Sequence, residues 1–86
     1  MADTWDIDRG AAALAGELQA ARLRQGLSQR ELAEHLGMAQ SFVGKAETGT
    51  RRVAAVELLL LAKILDLDLN ALSELVRKAA GQTSER

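Results

Sequence analysis

The sequence predicts an all-α fold, a compact bundle of five short helices. Three observations carry that expectation. Leu, Ala, Glu, Arg and Gln, all good helix formers, dominate the 86 residues, while strand-favouring residues are few. Apolar residues recur at helical spacing, as in Leu14, Leu18 and Ala21. Glycines and capping residues, with no proline anywhere, divide the chain into short segments.

Residues 1–8 show no helical period and are expected to form a loose arm, with Trp5 and Ile7 folding back onto an apolar surface. The first helix is expected over 9–24. Its inward stripe is Leu14, Leu18 and Ala21, with Gly16 on the opposite face, where it weakens the helix by roughly 1 kcal/mol relative to Ala. Gln25 and Gly26 end it, Gly26 supplying the left-handed position after the last turn. The second helix has the clearest start in the chain. Ser28 and Glu31 form a capping box, in which the hydroxyl accepts from the amide three residues on and the carboxylate reaches back. Leu32, Ala33 and Leu36 face inward and Gly37 stops it.

A third helix is expected from about Gln40 to Thr48, stopped by Gly49. A fourth covers about 54–65, with Leu58, Leu61, Ala62 and Leu65 inward. A fifth covers about 69–80 behind Asp68 as N-cap. Residues 81–86 are polar and expected to fray. Residues 9–80 are thus read as one domain between an arm and a tail.

Composition narrows the function classes. Cysteine is absent, which removes disulfides and thiolate metal sites and suits a reducing cytoplasm. The apolar run at 58–62 is far short of the roughly 20 residues of a membrane span. Acidic residues near the start replace the positive charges of a signal peptide. The single histidine, His35, lacks a second ligand at useful spacing and reads as a surface residue, so neither a metal nor a catalytic site is expected. The net charge of −1 conceals an asymmetry. Asp3, Asp6, Asp8 and Glu17 oppose only Arg9 in residues 1–21, whereas Arg22, Arg24, Arg30, Lys45, Arg51 and Arg52 oppose three carboxylates in residues 22–52. That balance is too weak to identify a polyanion binder alone.

The third helix is more specific. Two helices of about eight residues joined by a glycine-led turn are the signature of a helix-turn-helix. Ala33 is small where the third helix must approach the second, and Val43 pins it to the core. At 100° per residue, Val43, Ala46 and Glu47 share one side, while Gln40, Ser41, Gly44, Lys45 and Thr48 share the other. The outer set is slim, polar and free of carboxylates, which suits entry into a groove lined with phosphates.

The segments LRQGLSQRELAEHLGM, AQSFVGKAETGTRR and LLLLAKILDLDLNAL, in register over about residues 14–72, resemble the phage repressor and Cro type of helix-turn-helix, the xenobiotic-response-element family. The resemblance implies a lambda-repressor-like bundle that lays its third helix in the major groove of double-stranded DNA. It places Gln40, Ser41 and Lys45 at base-reading positions, where Gln suits adenine and Lys the acceptors of guanine. It places Ser28, Gln29, Phe42, Thr50, Arg51 and Arg52 along the DNA backbone, with Gln29 at the positive end of the second helix. Phe42 has a competing role as an apolar shield over the junction of helices 2 and 3, and Arg30 reads as solvated surface. Arg22 and Glu47 match an internal ion pair. Ala39 and Ala54 stand where the family usually has polar caps, and Gly44 leaves a groove-facing position bare.

Helices 4 and 5 carry more apolar residues than one small core requires. Leu59, Leu60, Ile64, Leu72, Leu75 and Val76 are therefore expected to form a dimer interface. The expectation is a cytoplasmic, bacterial or phage-encoded transcriptional regulator, a repressor or autoregulator, that binds an inverted-repeat operator as a homodimer. No cofactor, metal, small-molecule ligand or enzymatic activity is expected. The alternative is a protein-interaction module of the same fold that uses its leucine-rich surface, with DNA binding secondary.

Overall fold

A computed structural model describes residues 4–81. Five helices follow in order: α1 (Ile7–Arg24), α2 (Gln29–Leu36), α3 (Gln40–Thr48), α4 (Ala55–Ile64) and α5 (Leu69–Ala80). The expectations for residues 1–3 of the arm and 82–86 of the tail lie outside the described residues.

The helix ends obey local chemistry. Gly26, Gly37 and Gly49 all take positive φ, between 73° and 81°, where a side chain would strain the backbone. Each turn is closed by an amide reaching back across the helix end: Leu27 to the Arg22 carbonyl at 3.1 Å, Met38 to Ala33 at 3.0 Å and Thr50 to Lys45 at 3.0 Å. The turn after α4 does the same without glycine. Asp66 adopts φ 56° and the Leu67 amide meets the Ala62 carbonyl at 2.8 Å.

The start of α1 differs from the sequence expectation. The helix begins at Ile7, two residues early, because the Asp6 side chain accepts from the Arg9 amide at 3.0 Å and caps it. The Asp6 amide in turn donates to the Ala80 carbonyl at 2.7 Å. Gly10 lets α5 close on α1, since a Cβ there would stand 3.1 Å from that of Ala80. The Trp5 ring lies against Gly81, so the chain before α1 is fastened to the end of α5.

Leu18, Ala21, Leu32, Ala33, Phe42, Val43, Ala46, Leu61 and Leu65 form the buried cluster at the centre. They come from α1, α2, α3 and α4, so each helix contributes one stripe to a shared core, and α5 closes the bundle along α1.

Candidate nucleic-acid interface

The site is built on the close approach of α2 and α3. Ala33 and Ala46 are both buried, and these small residues let the two short helices approach closely. Phe42 is 5% exposed and Val43 2%, and both anchor α3 in the core. This corrects the placement of Phe42 on the DNA backbone. Its ring is the apolar shield at the α2–α3 junction, because burying an aromatic gains more than exposing it beside a polar groove.

With Phe42, Val43, Ala46 and Glu47 turned inward, the outer side of α3 presents Gln40, Ser41, Lys45 and Thr48, all exposed. Gly44 is half-buried instead of bare. The Gln29 side chain crosses it, with the Gln29 Oε1 atom 3.6 Å from where a Gly44 Cβ would stand. Gln29 itself does not simply point at solvent: its Nε2 donates to Glu47 Oε1 at 3.2 Å. One amide hydrogen is thereby spent inside the protein, and the second still points away from Glu47.

Glu47 sits at the centre of a buried polar network. Arg22 donates from Nε to Glu47 Oε2 at 2.6 Å and from Nη2 to Glu47 Oε1 at 3.0 Å. Its remaining arm, Nη1, donates to the Leu27 carbonyl at 2.8 Å. The pair ties the end of α1 to the end of α3 and to the turn before α2. The hydrogen bonding that Arg22 donates to the Glu47 carboxylate, with the charge of that carboxylate, raises the Arg22 pKa above the ordinary value despite desolvation. Both residues are 7% exposed, so the ion pair stands where the resemblance implies it.

The start of α2 faces outward. Its capping box is complete, with Glu31 N to Ser28 Oγ at 3.0 Å and Ser28 N to Glu31 Oε1 at 2.8 Å. The two bonds to Ser28 hold the Glu31 carboxyl below its usual range. Arg22, Ser28, Gln29, Arg30, Glu31 and Gln40 line an open cleft of about 600 Å³ between the starts of α2 and α3. Arg30, which the sequence places among solvated residues, belongs to this cleft. Its signal was positional: it is the second residue of a helix whose free amide ends point the same way.

The segment leaving α3 is densely hydrogen-bonded. The Lys45 carbonyl accepts from the amides of Thr50 at 3.0 Å and Arg51 at 3.2 Å, and from the Thr48 and Thr50 hydroxyls at 3.2 Å each. Arg51 and Arg52 then diverge. Arg51 grips Glu57 with two bonds, Nη1 to Oε1 at 2.9 Å and Nη2 to Oε2 at 3.1 Å, and stacks 4.6 Å from the centre of the Phe42 ring. The Glu57 carboxylate also accepts from the Ala54 amide at 2.8 Å, supplying part of the α4 cap that Ala54 lacks. These bonds, led by Arg51, hold the Glu57 carboxyl below its usual range. Arg51 therefore braces the loop, and Arg52 is the more outward cation. Its one ion pair among the described residues is Nη2 to Asp8 Oδ1 at 3.1 Å.

The apolar surface on α4 and α5 differs in membership from the six residues expected, since Val56 and Leu69 are also exposed. Leu59 and Leu60 are 55% and 51% exposed, and Leu75 is exposed as well. Ile64 and Val76 are half-buried. Leu72 is 5% exposed and is a core residue, which corrects its assignment to the interface; it faces α1 as part of the packing of α5. Leu14, Leu58, Leu69, Leu72, Ser73 and Val76 line an almost wholly apolar groove of about 320 Å³ beside this surface. Among the described residues no helix is long and apolar enough to cross a membrane, and no cluster of His, Asp or Glu could hold a metal ion.

A bundle whose third helix stands outward behind a capped second helix, over a buried Arg–Glu brace, defines a helix-turn-helix DNA-binding protein. The helix-turn-helix family model matches residues 18–72, and the chain belongs to that family, in its XRE branch of transcriptional regulators. The restriction-modification controller protein C.AhdI from Aeromonas hydrophila is 37% identical, over 72% of this chain and 94% of its own, with a TM-score of 0.66. An XRE-family-like protein from Pseudomonas syringae pv. tomato str. DC3000 is 35% identical over 80% of this chain and 84% of its own, at 0.71. The clp gene regulator ClgR from C. glutamicum, 21% identical over 81% of this chain and 90% of its own, shares the fold at 0.72. No curated protein sequence matches the chain.

Proposed function

We propose that this protein regulates transcription by binding an inverted-repeat operator as a homodimer, most simply as a repressor or autoregulator. The observation that carries the reading is the division of α3 into a buried side, Phe42, Val43, Ala46 and Glu47, and an exposed side, Gln40, Ser41 and Lys45. An uncharged amide, a hydroxyl and one ammonium on a slim exposed helix match the donor and acceptor pattern of the major groove. The backbone grip falls to the first-turn amides of α2, the Ser28 hydroxyl, Gln29, Arg30, Thr50 and Arg52, with Arg51 bracing the loop that carries Arg52.

Dimerisation through α4 and α5 accounts for exposed Leu59, Leu60 and Leu75 beside an apolar groove. Two such subunits set their reading helices about 34 Å apart, one DNA turn. The 37% identity to a restriction-modification controller protein supports the regulator reading. The same leucines also suit a protein partner, which makes a protein-interaction module the second reading.

Selection of bound sites from random duplex DNA tests the proposal. An enriched inverted repeat supports it, and log affinity should then fall with log salt at a slope of about −5 for three cationic contacts per subunit. No enrichment, together with a monomer at micromolar concentration in sedimentation, would reject both DNA reading and dimer.

A further inference from the structure

Arg52, the outward cation of the loop after α3, meets a carboxylate from a distant part of the chain. Its Nη2 atom donates to Asp8 Oδ1 at 3.1 Å, a contact between residues 44 apart in sequence. The placement is built by backbone structure on both sides. Asp6 caps α1 and so puts Asp8 in its first turn, where the positive helix end favours a carboxylate. The bonds converging on the Lys45 carbonyl, and the Arg51–Glu57 brace, fix the loop that carries Arg52.

We propose that Asp8 is part of the DNA interface and acts as an internal competitor for Arg52, lowering the affinity for every duplex alike. The inference rests on the DNA-binding reading above and assigns to the first turn of α1 a role in it. Stability does not explain the contact. The Asp8 side chain is 90% exposed and that of Arg52 64%, and exposed pairs of this kind contribute little to folding. A phosphate arriving at Arg52 either displaces Asp8 or binds with a second anion close by. Both routes oppose binding, because the guanidinium charge is shared between two anions and the anions repel one another. Phosphates are the same at every step of the duplex, so the effect carries no sequence information. Asp8 thereby sets how strongly the protein holds DNA in general, while α3 sets which DNA it holds.

The contact also predicts a salt signature. A carboxylate that offsets one cation per subunit removes about one unit of effective charge, so Asp8→Asn should steepen the log–log salt slope by about 0.9 per subunit. Near 0.1 M salt, relief of the repulsion should tighten a dimer by about tenfold, or about threefold per subunit.

The test is a comparison of dissociation constants on the selected operator and on random duplex, across a salt series. The parent, Asp8→Asn, Arg52→Gln and the double variant are measured beside Asp66→Asn. That last change removes the same charge at the turn after α4, where Asp66 borders a crevice with Glu17 and Arg24. The expected result is a tenfold gain for Asp8→Asn on both DNAs with the steeper slope, less than about a twofold gain in the Arg52→Gln background, and less than twofold for Asp66→Asn. An equal gain from Asp66→Asn, or an undiminished gain in the Arg52→Gln background, would show bulk charge at work and overturn the proposal. Weaker binding by Asp8→Asn would also overturn it, since Asp8 would then be orienting Arg52 for the phosphate. Failure of the parent to bind any duplex removes the regulator reading, and this one with it. Binding by the parent without a response to Asp8→Asn removes this one alone.

Discussion

The two ends of α1 meet the same part of the molecule with the same chemistry and opposite consequences. At its C-terminal end Arg22 binds Glu47 of α3 through two bonds at 2.6 and 3.0 Å, shut away from water. At its N-terminal end Asp8 meets Arg52, just beyond α3, through one bond at 3.1 Å in full solvent. Burial makes the first pair obligatory, because either charge left alone inside the bundle would be costly. Exposure makes the second exchangeable, because water or a phosphate can replace either partner. One end of α1 fixes where α3 stands, and the other, on the proposal above, tunes how hard the protein holds the DNA backbone. The Arg51–Glu57 pair lies between the two extremes: partly exposed, bidentate, and serving the α4 cap as well as the loop.

Breaking the buried pair should have the largest effect. Glu47→Ala strands the Arg22 guanidinium and removes the partner of Gln29, and should cost about 3–5 kcal/mol in urea unfolding. Replacing both members, Arg22→Met with Glu47→Leu, should recover most of that loss. A single variant as stable as the parent would mean that the pair is not buried as described.

Removing the cap at the other end is milder. Asp6→Ala should cost about 1 kcal/mol and speed amide exchange in the first turn of α1. Because the Asp6 amide is also fastened to Ala80, a shift of Trp5 fluorescence should accompany it. Unchanged exchange at residues 7–10 would show that the Ala80 contact, and not the cap, starts the helix.

The intermediate pair is best separated by pH. The folded-state pKa of Glu57 is depressed by Arg51 and the Ala54 amide. Its contribution is therefore present above the unfolded value, about 4.3, and is lost as pH falls through the folded one. Glu31 follows the same sign through Ser28. Stability should decline on acidification below about pH 4.3, and Glu57→Gln should flatten that decline. An identical pH profile for the variant would dismiss Glu57 as a contributor.

The smallest effect is expected at the exposed pair. Asp8→Asn should leave the unfolding midpoint within about 0.5 kcal/mol of the parent while changing DNA affinity. A loss of stability comparable to that of Glu47→Ala would erase the contrast between the two ends of α1.

Much of this architecture was legible in local sequence. Ser28 with Glu31, the glycines at 26, 37 and 49, and Asp68 mark helix ends through chemistry acting over three or four residues. The α5 bounds and the span of α3 consequently match expectation. The first turn of α1 was not legible, because no apolar period extends to Ile7 and the cap at Asp6 is surrounded by other acids. The turn at Asp66 lacked its usual glycine. In the candidate interface, Gln40, Ser41 and Lys45 stand exposed on α3 as the helical wheel predicts, and Arg22 meets Glu47. Phe42 takes the apolar-shield role over the backbone role that the resemblance implies, and Leu72, counted with the surplus apolar residues, is buried, because burial depends on what packs across from a side chain.

The sequence by itself determined the all-α class, the cuts between helices and the polar face of α3, since each follows from backbone propensity and hydrogen bonds between near neighbours. Tertiary structure alone decided that Gln29 turns to Glu47, that Arg51 is spent on Glu57 while Arg52 reaches outward, and that Asp8 stands beside it. Those pairings join residues 6 to 44 positions apart. They depend on how the helices pack, and charge acts through space without regard to order along the chain.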